Sequence, residues 1–340
     1  MPEPPQIEPA KADTADPGIL EELSRFAKWC AAHPLPALGL ATISATLVFF
    51  YTFIKPFSNG HESAAVWAWR AWNPENNLEH GKFVPLMSLF LVWYHRAELA
   101  RAPKHGSNRG LVWAGIGILF FVLSVRTIQG RMALGAAPFL LFGIIEFLWG
   151  KKVARILLFP CAFLIFTIPF AAIEQATFRL QFVITGLVGF LTNLVGIGIA
   201  AIGTTLNATD GSFNFEIAEG CSGIRSLTAM TMLTAIYVHL TQDKLWKKAV
   251  ILGGSFLFAI IGNAGRIFTV VLVAKFYDPK IASGIYHDYS GYVFFPFAVM
   301  AMLGFSKLVN WDIKSLTTPE DKGGGTPGGP GQREQISYDY

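Results

Sequence analysis

One cysteine of this chain stands where a thiol could act as a nucleophile. Cys221 lies in the short polar stretch Glu-Gly-Cys-Ser-Gly-Ile-Arg-Ser, residues 219–226, between a strand-like segment and a long apolar run. The flanking Gly220 and Gly223 allow backbone conformations that a Cβ atom forbids, and they let a substrate chain come close. Near a helix N-terminus, unpaired N–H groups and the helix dipole stabilise a thiolate. The pattern therefore predicts a reactive thiol, although a small buried residue at a helix start is the alternative interpretation.

Two further residues could act with this thiol. Arg266 and His287 fall at ends of apolar segments that the predicted topology places on the same membrane side as Cys221. An arginine inside an apolar helix is costly enough to suggest a function, although it could be a structural partner of Asn263 or of an acid such as Glu219. The alternative for His287 is an interfacial anchor.

Arg225 stands four residues after Cys221. A helix starting at Cys221 would place both residues on one face, where the guanidinium would lower the thiol pKa. An arginine facing lipid phosphates is an equally good interpretation. The remaining cysteines, Cys30 and Cys161, are too few and too scattered for a disulfide framework or a metal site.

The composition predicts an all-α polytopic membrane protein. Apolar residues make up 52% of the chain, charged residues 15%, and the mean hydropathy is +0.43. Apolar runs of about 20 residues, enough to cross about 30 Å of hydrocarbon, recur along the chain. We predict about eight transmembrane helices, at residues 36–54, 83–97, 111–127, 133–149, 153–171, 222–241, 249–274 and 291–309.

Basic clusters orient these spans. Arginine and lysine concentrate in the loops after the second, fourth and sixth spans, which should be cytoplasmic, and both termini then lie on that side. If residues 173–203 also crossed, one basic cluster would face outward. We therefore predict an amphipathic helix in the outer interface there. Residues 204–219 alternate polar and apolar side chains around an Asp210-Gly211 turn, which predicts a short β-hairpin before Cys221.

The two ends of the chain differ from the apolar middle. Residues 1–34 are acidic and proline-containing, and residues 311–340 are rich in glycine and proline. We expect both to be disordered cytoplasmic segments, apart from a short helix around Leu20–Cys30, on either side of a transmembrane domain at residues 35–310. Glu146, within the fourth predicted span, is an intramembrane acid that needs a partner.

The order of these motifs resembles the exosortase/archaeosortase family of membrane-embedded cysteine transpeptidases. The resemblance lies in Cys-Ser-Gly-Ile-Arg-Ser at Cys221, Asn-Ala-Gly-Arg-Ile at Arg266, and His287 in a short loop followed by Gly291. A His-Gly pair ahead of the second span, here His80-Gly81, adds to it. The resemblance covers the chain from the first span to the last, without the two tails.

This resemblance implies a cysteine peptidase or transpeptidase that cleaves a C-terminal sorting signal, of the PEP-CTERM type in bacteria, from exported proteins. Cys221 would attack, His287 would act as base and then acid, and Arg266 would stabilise the oxyanion or position the substrate. Supporting contacts would come from Ser222, Arg225, Asn263 and His80.

The partners implied are a substrate protein carrying a transmembrane sorting signal and membrane lipid. We expect no cofactor, no metal and no nucleic acid, and the oligomeric state is not predicted. A bacterial plasma membrane is favoured, with the active site on its periplasmic or extracellular side.

Two other functional classes stay open. A transporter would need broken helices, charged residues along a path and usually internal repeats, and the sequence has no evident repeat. The other alternative is a non-catalytic multi-pass subunit of polysaccharide export or assembly. Convergence of Cys221, Arg266 and His287 within hydrogen-bonding reach would separate the enzyme from both alternatives.

Overall fold

The structure is a computed structural model, and it describes residues 19–169, 171–216 and 223–311. The chain divides into two compact units, one up to Arg179 and one from Leu180. Cys221 and Ser222 lie outside the described residues, as do residues 1–18 of the N-terminal tail and 312–340 of the C-terminal tail.

The first unit is built of helices joined by short turns. Its helices are α1 (Ile19–Ala32), α2 (Pro34–Thr52), α3 (Ala64–Ala71), α4 (Val84–Tyr94), α5 (Arg96–Arg101), α6 (Arg109–Thr127), α7 (Gly130–Trp149), α8 (Lys151–Ile156) and α9 (Leu158–Phe163). Short 3-10 turns occupy Ser58–Gly60, Glu79–Lys82 and Leu164–Thr167.

Glycines let α6 and α7 form a tightly packed antiparallel hairpin. A Cβ atom on Gly143 would lie 2.2 Å from the backbone nitrogen of Ala114, and one on Gly110 would lie 2.3 Å from that of Phe147. Small residues at such positions let membrane helices approach backbone to backbone. At the open end of the hairpin, the Ser107 N–H donates to the Glu146 carbonyl at 3.1 Å. The start of α6 and the end of α7 therefore lie at the same level.

The second unit combines four long helices with a small sheet. Its elements, with α10 counted here, are α10 (Ala171–Leu194), β1 (Ile199–Ile202), β2 (Thr205–Ala208), β3 (Asn214–Glu216), α11 (Ile224–Thr241), α12 (Leu245–Phe276), α13 (Pro279–Ile281), a π-helical turn (Ala282–Tyr286) and α14 (His287–Asn310). Helices α11, α12 and α14 pack around Met230, Ile251 and Met302, which are fully buried.

The sheet has three antiparallel strands in the order β1-β2-β3, where the sequence predicted a two-stranded hairpin. The additional strand, β1, comes from the glycine-rich end of the segment predicted as helical. Its register pairs Ile199 with Ala208, and Leu206 of β2 faces both Ala201 and Phe215. Leu206 is fully buried in a cluster with α10 and α12. The sheet therefore belongs to the core of the second unit.

Helix α10 departs in part from the predicted amphipathic pattern. The apolar Phe178 and Phe190 are exposed, at 59% and 64%, whereas the polar Gln181 and Thr185 are buried. The Thr185 hydroxyl donates to the Gln181 carbonyl at 2.7 Å, so burial leaves it with a partner. Arg179 and Asn193, which also suggested a water-facing side, are exposed as expected.

Five of the eight predicted spans correspond to helices long and apolar enough to cross a membrane, counted over residues 19–169, 171–216 and 223–311. They are Pro34–Thr52, Arg109–Thr127, Gly130–Trp149, Leu245–Phe276 and Tyr289–Asn310.

The other three predicted spans fall on elements that do not meet that standard. Helix α4 has 11 residues, about 16 Å of length and half of the hydrocarbon thickness. The segment at 153–171 breaks into α8, α9 and a 3-10 turn. Helix α11 carries several threonines and so has low hydropathy. Apolar content alone therefore predicted more spans than there are helices of spanning length and hydropathy among the described residues.

Candidate functional site

Arg266 is a half-buried charged residue inside the long apolar helix α12. Its Nε–H donates to the Ser290 hydroxyl at 3.0 Å, and an Nη2–H donates to the His287 carbonyl at 2.7 Å. Both acceptors belong to the first turn of α14. The guanidinium is therefore held to α14, and its remaining N–H groups can serve other partners.

Ser290 was not singled out by sequence reasoning. It is 5% exposed, and its hydroxyl accepts from Arg266 while donating to the His287 carbonyl at 3.0 Å. The Ser290 hydroxyl thus acts both as a hydrogen-bond acceptor and as a donor. The available signal was its spacing, because a residue three positions after His287 lies on the same helix face.

His287 begins α14 immediately after the π-helical turn. Within that turn Gly284 departs from helical geometry, with φ −97° and ψ −114°. Turns of this kind inside helices are frequent at functional sites. The bond between Arg266 and His287 uses the backbone carbonyl of His287, so it does not occupy the imidazole as an acceptor.

The start of α11 faces the same part of α12. Gly223 is the residue before the helix, with φ +82°, a left-handed conformation that favours glycine. A Cβ atom there would lie 2.7 Å from the Asn263 side-chain nitrogen. Asn263 is buried and precedes Arg266 by one helical turn. Three distant segments, at Gly223, Asn263 to Arg266, and His287 to Ser290, therefore meet.

Arg225 lies in the first turn of α11, which begins at Ile224 after the left-handed Gly223. Cys221 lies outside the described residues, so its predicted relation to Arg225 stays a prediction. Arg225 itself is exposed.

A small cavity of about 40 Å³ borders the guanidinium of Arg266. Its polar lining comes from Ser226, Asn263 and Arg266, and apolar side chains of α14 close the other side. A volume of this size can hold a water molecule when two or more polar groups line it.

His80 lies in the first unit, in the 3-10 turn Glu79–Lys82. It is half-buried, and its Nε2 atom is buried with no hydrogen-bond partner among the described residues. This burial lowers the pKa of His80. The turn is fixed by Gly81, where a Cβ atom would lie 2.3 Å from the Trp72 ring, and the Trp72 indole donates to the Thr167 carbonyl at 2.9 Å.

In the part of the chain that the structure describes, no group of three or more His, Cys, Asp or Glu side chains lies close enough to hold a metal ion. Cys161 is buried and Cys30 partly buried, both as free thiols.

These elements define a helical membrane protein with a polar cluster where α11, α12 and α14 meet. The family model described as Transmembrane exosortase (Exosortase_EpsH) matches residues 69–304, more than half of the chain. The chain belongs to the transmembrane exosortase family, and the predicted family is confirmed. No curated protein and no solved structure matches the chain.

Proposed function

We propose that this protein is a membrane cysteine peptidase or transpeptidase that cleaves C-terminal sorting signals of the PEP-CTERM type from exported proteins. The observation that carries the proposal is the hydrogen-bonded contact between Arg266 and the start of α14 at His287 and Ser290, beside Gly223. Residues that are far apart in sequence and able to do acyl-transfer chemistry thereby come together.

Chain connectivity supports Cys221 as the nucleophile of this site. Cys221 is two residues before Gly223, and consecutive Cα atoms are about 3.8 Å apart, so its Cα lies within about 8 Å of that of Gly223. Gly223 in turn contacts Asn263, one helical turn from Arg266. This short connection supports the proposal that the Cys221 thiol acts beside the guanidinium.

The proposed reaction begins with transfer of the Cys221 proton to the His287 imidazole. The thiolate attacks the scissile carbonyl carbon, and the carbonyl electron pair moves to the oxygen. Collapse of this intermediate forms a thioester and breaks the C–N bond, while the imidazolium returns its proton to the leaving amine. Water or an acceptor nucleophile then gives its proton to His287, attacks the thioester and releases the Cys221 thiolate.

Arg266 suits stabilisation of the oxyanion in this reaction. A guanidinium stays protonated in a partly desolvated site and offers N–H donors in a fixed plane. Bonds to the His287 carbonyl and the Ser290 hydroxyl hold that plane before substrate arrives. A pre-oriented donor needs no reorganisation as charge develops, which is how such groups lower a barrier.

The length of α12 supports a site at the membrane surface opposite the basic loops. Arg266 follows Lys248 by 18 residues, which is about 27 Å along a helix and close to the hydrocarbon thickness. If Lys248 marks the cytoplasmic surface, Arg266 lies at the outer one. We therefore propose a bacterial plasma-membrane protein with cytoplasmic termini and an outward-facing site.

Processing of a C-terminally tagged substrate in cells tests the proposal. Cys221→Ala should abolish cleavage at unchanged protein level, and Arg266→Lys and His287→Gln should each reduce it severely. Cys30→Ser is the matched control, because it changes a thiol far from the site in sequence and should process normally. Wild-type cleavage by Cys221→Ala would remove the nucleophile and refute the proposed reaction.

A further inference from the structure

A large groove in the first unit is not used by the proposed reaction. It has a volume of about 740 Å³ and lies between α6, α7 and the short helices α8 and α9. Its walls are almost wholly apolar, with Phe139 and Phe142 on one side. Trp113, Leu158 and Ile165 also line it, and their exposures of 39%, 52% and 48% show that it opens to the surroundings.

One end of this groove carries charge. Arg109 at the start of α6 and Lys151 and Arg155 on α8 line it, and all three are exposed. Glu146 in the last turn of α7 lines it too, but is only 4% exposed. Because the Glu146 carbonyl accepts from Ser107, two residues before Arg109, the carboxylate lies at the level of these cations.

Basic residues at the end of membrane helices are common and need no ligand to explain them. A buried carboxylate at the same level is unusual, because burying an ionised group is costly without a compensating partner. The cations attract phosphate, and the carboxylate attracts a donor of opposite charge. A ligand that fits the whole groove therefore carries an apolar chain, a phosphate and a cationic N–H donor.

We propose that this groove binds a phospholipid whose headgroup contains a primary amine. Arg109, Lys151 and Arg155 hold the phosphate, the ammonium donates to the Glu146 carboxylate, and an acyl chain lies along Trp113 and the apolar wall. Basic pockets between membrane helices are known to take lipid headgroups in this way. A protein helix that ends in basic residues would instead meet like charges at this end.

Fluorescence quenching of Trp113 by brominated lipids tests this proposal. The fluorescence of Trp113 alone is the difference between the wild type and Trp113→Phe. Trp113 stacks on Phe139, and the phenylalanine keeps an aromatic ring at this position. The full-length protein is reconstituted in phosphatidylcholine vesicles with increasing fractions of phosphatidylethanolamine, phosphatidylcholine or phosphatidylglycerol brominated in the upper acyl chain. Phosphatidylcholine has the same phosphate, but its quaternary ammonium has no N–H to donate.

For the wild type we expect phosphatidylethanolamine to quench Trp113 at about tenfold lower mole fraction than phosphatidylcholine, as a hydrogen bond to a charged group predicts. Glu146→Gln should remove this preference, and Arg155→Gln should weaken quenching by both lipids. Lys152→Gln is the matched control, because this neighbouring cation does not line the groove, and it should behave as the wild type.

Three results would overturn the proposal. They are equal quenching by the two lipids in the wild type, stronger quenching by phosphatidylglycerol than by phosphatidylethanolamine, and a preference that survives in Glu146→Gln. If Glu146→Gln fails to fold, the comparison of the three lipids on the wild type still decides. None of these outcomes depends on peptidase activity, so the lipid site and the proposed function are tested separately.

Discussion

The bond between Ser290 and Arg266 gives a sharp test of how the guanidinium is positioned. Ser290→Ala removes the acceptor of the Arg266 Nε–H and one donor to the His287 carbonyl. The site is partly buried, so the stranded N–H should cost about 2 kcal/mol. If the whole cost is lost from transition-state stabilisation, kcat/KM should fall about 30-fold.

The assay is cleavage of a sorting-signal peptide by the full-length protein in proteoliposomes, measured as initial rates. Ser255→Ala is the matched control. Ser255 is fully buried on α12, and its hydroxyl donates to the Leu252 carbonyl of its own helix at 2.6 Å, three turns away from Arg266. This variant makes the same chemical change without touching the guanidinium and should retain wild-type kcat/KM.

A rescue variant separates positioning from general stability. Ser290→Thr keeps the hydroxyl, so it should recover most of the activity that Ser290→Ala loses. If packing rather than the hydrogen bond mattered, the added methyl group would lower the activity further. The reasoning is refuted if Ser290→Ala cleaves as fast as Ser255→Ala, or if Ser290→Thr is no better than Ser290→Ala.

Three further predictions concern Gly223, Asp210 and His80. Gly223→Ala should lower both stability and processing, because alanine is strained at the positive φ of this position and its Cβ would lie 2.7 Å from the Asn263 side-chain amide. Gly253 has open space around it, so Gly253→Ala should leave processing unchanged in the same cell assay. The hydrogen bond from Lys275 holds the pKa of Asp210 well below its usual range. The stability that ionised Asp210 adds to the folded protein is therefore present above the unfolded pKa of about 4, and it is lost as pH falls through the pKa of the folded state. Thermal unfolding should therefore show Asp210→Asn less stable than wild type at pH 7, with the difference vanishing in strong acid. Burial lowers the pKa of His80, so protonation favours the unfolded state. As pH falls below the unfolded pKa of about 6.5, the wild type should therefore lose stability relative to His80→Gln. Equal dependence of thermal unfolding on pH in the two proteins would contradict this.

Sequence reasoning found the family because the family is defined by local motifs. It could place Arg266 and His287 near one membrane surface from segment ends alone, but it could not identify the atoms that meet. The structure joins the guanidinium to the His287 carbonyl and to Ser290, which no motif marked. Such contacts depend on the rotation of α12 against α14, which periodicity does not encode.

The misplaced elements have a common physical cause. Hydropathy reports how apolar a segment is, and it does not report whether the segment is continuous or which side is buried. The segment at 153–171 is apolar apart from Arg155 and Thr167, yet it breaks at Leu157 between α8 and α9. In α10, Gln181 and Thr185 are buried and Phe190 is exposed against the expected pattern, whereas Arg179 is exposed as expected. A membrane environment rewards apolar side chains on the outside.

Helix α12 explains how a charged residue can be accommodated in so apolar a chain. Hydropathy predicted a span at 249–274, but the helix has 32 residues, about 48 Å, and exceeds the hydrocarbon thickness. Its last turn carries Lys275, which pairs with Asp210 in the turn after β2. A polar ion pair at that end is expected outside the hydrocarbon, so the part of α12 between Arg266 and Lys275 need not lie in lipid. The extra length of this helix thus removes much of the cost of placing Arg266 on it, and it brings the sheet, Gly223 and α14 to the same end.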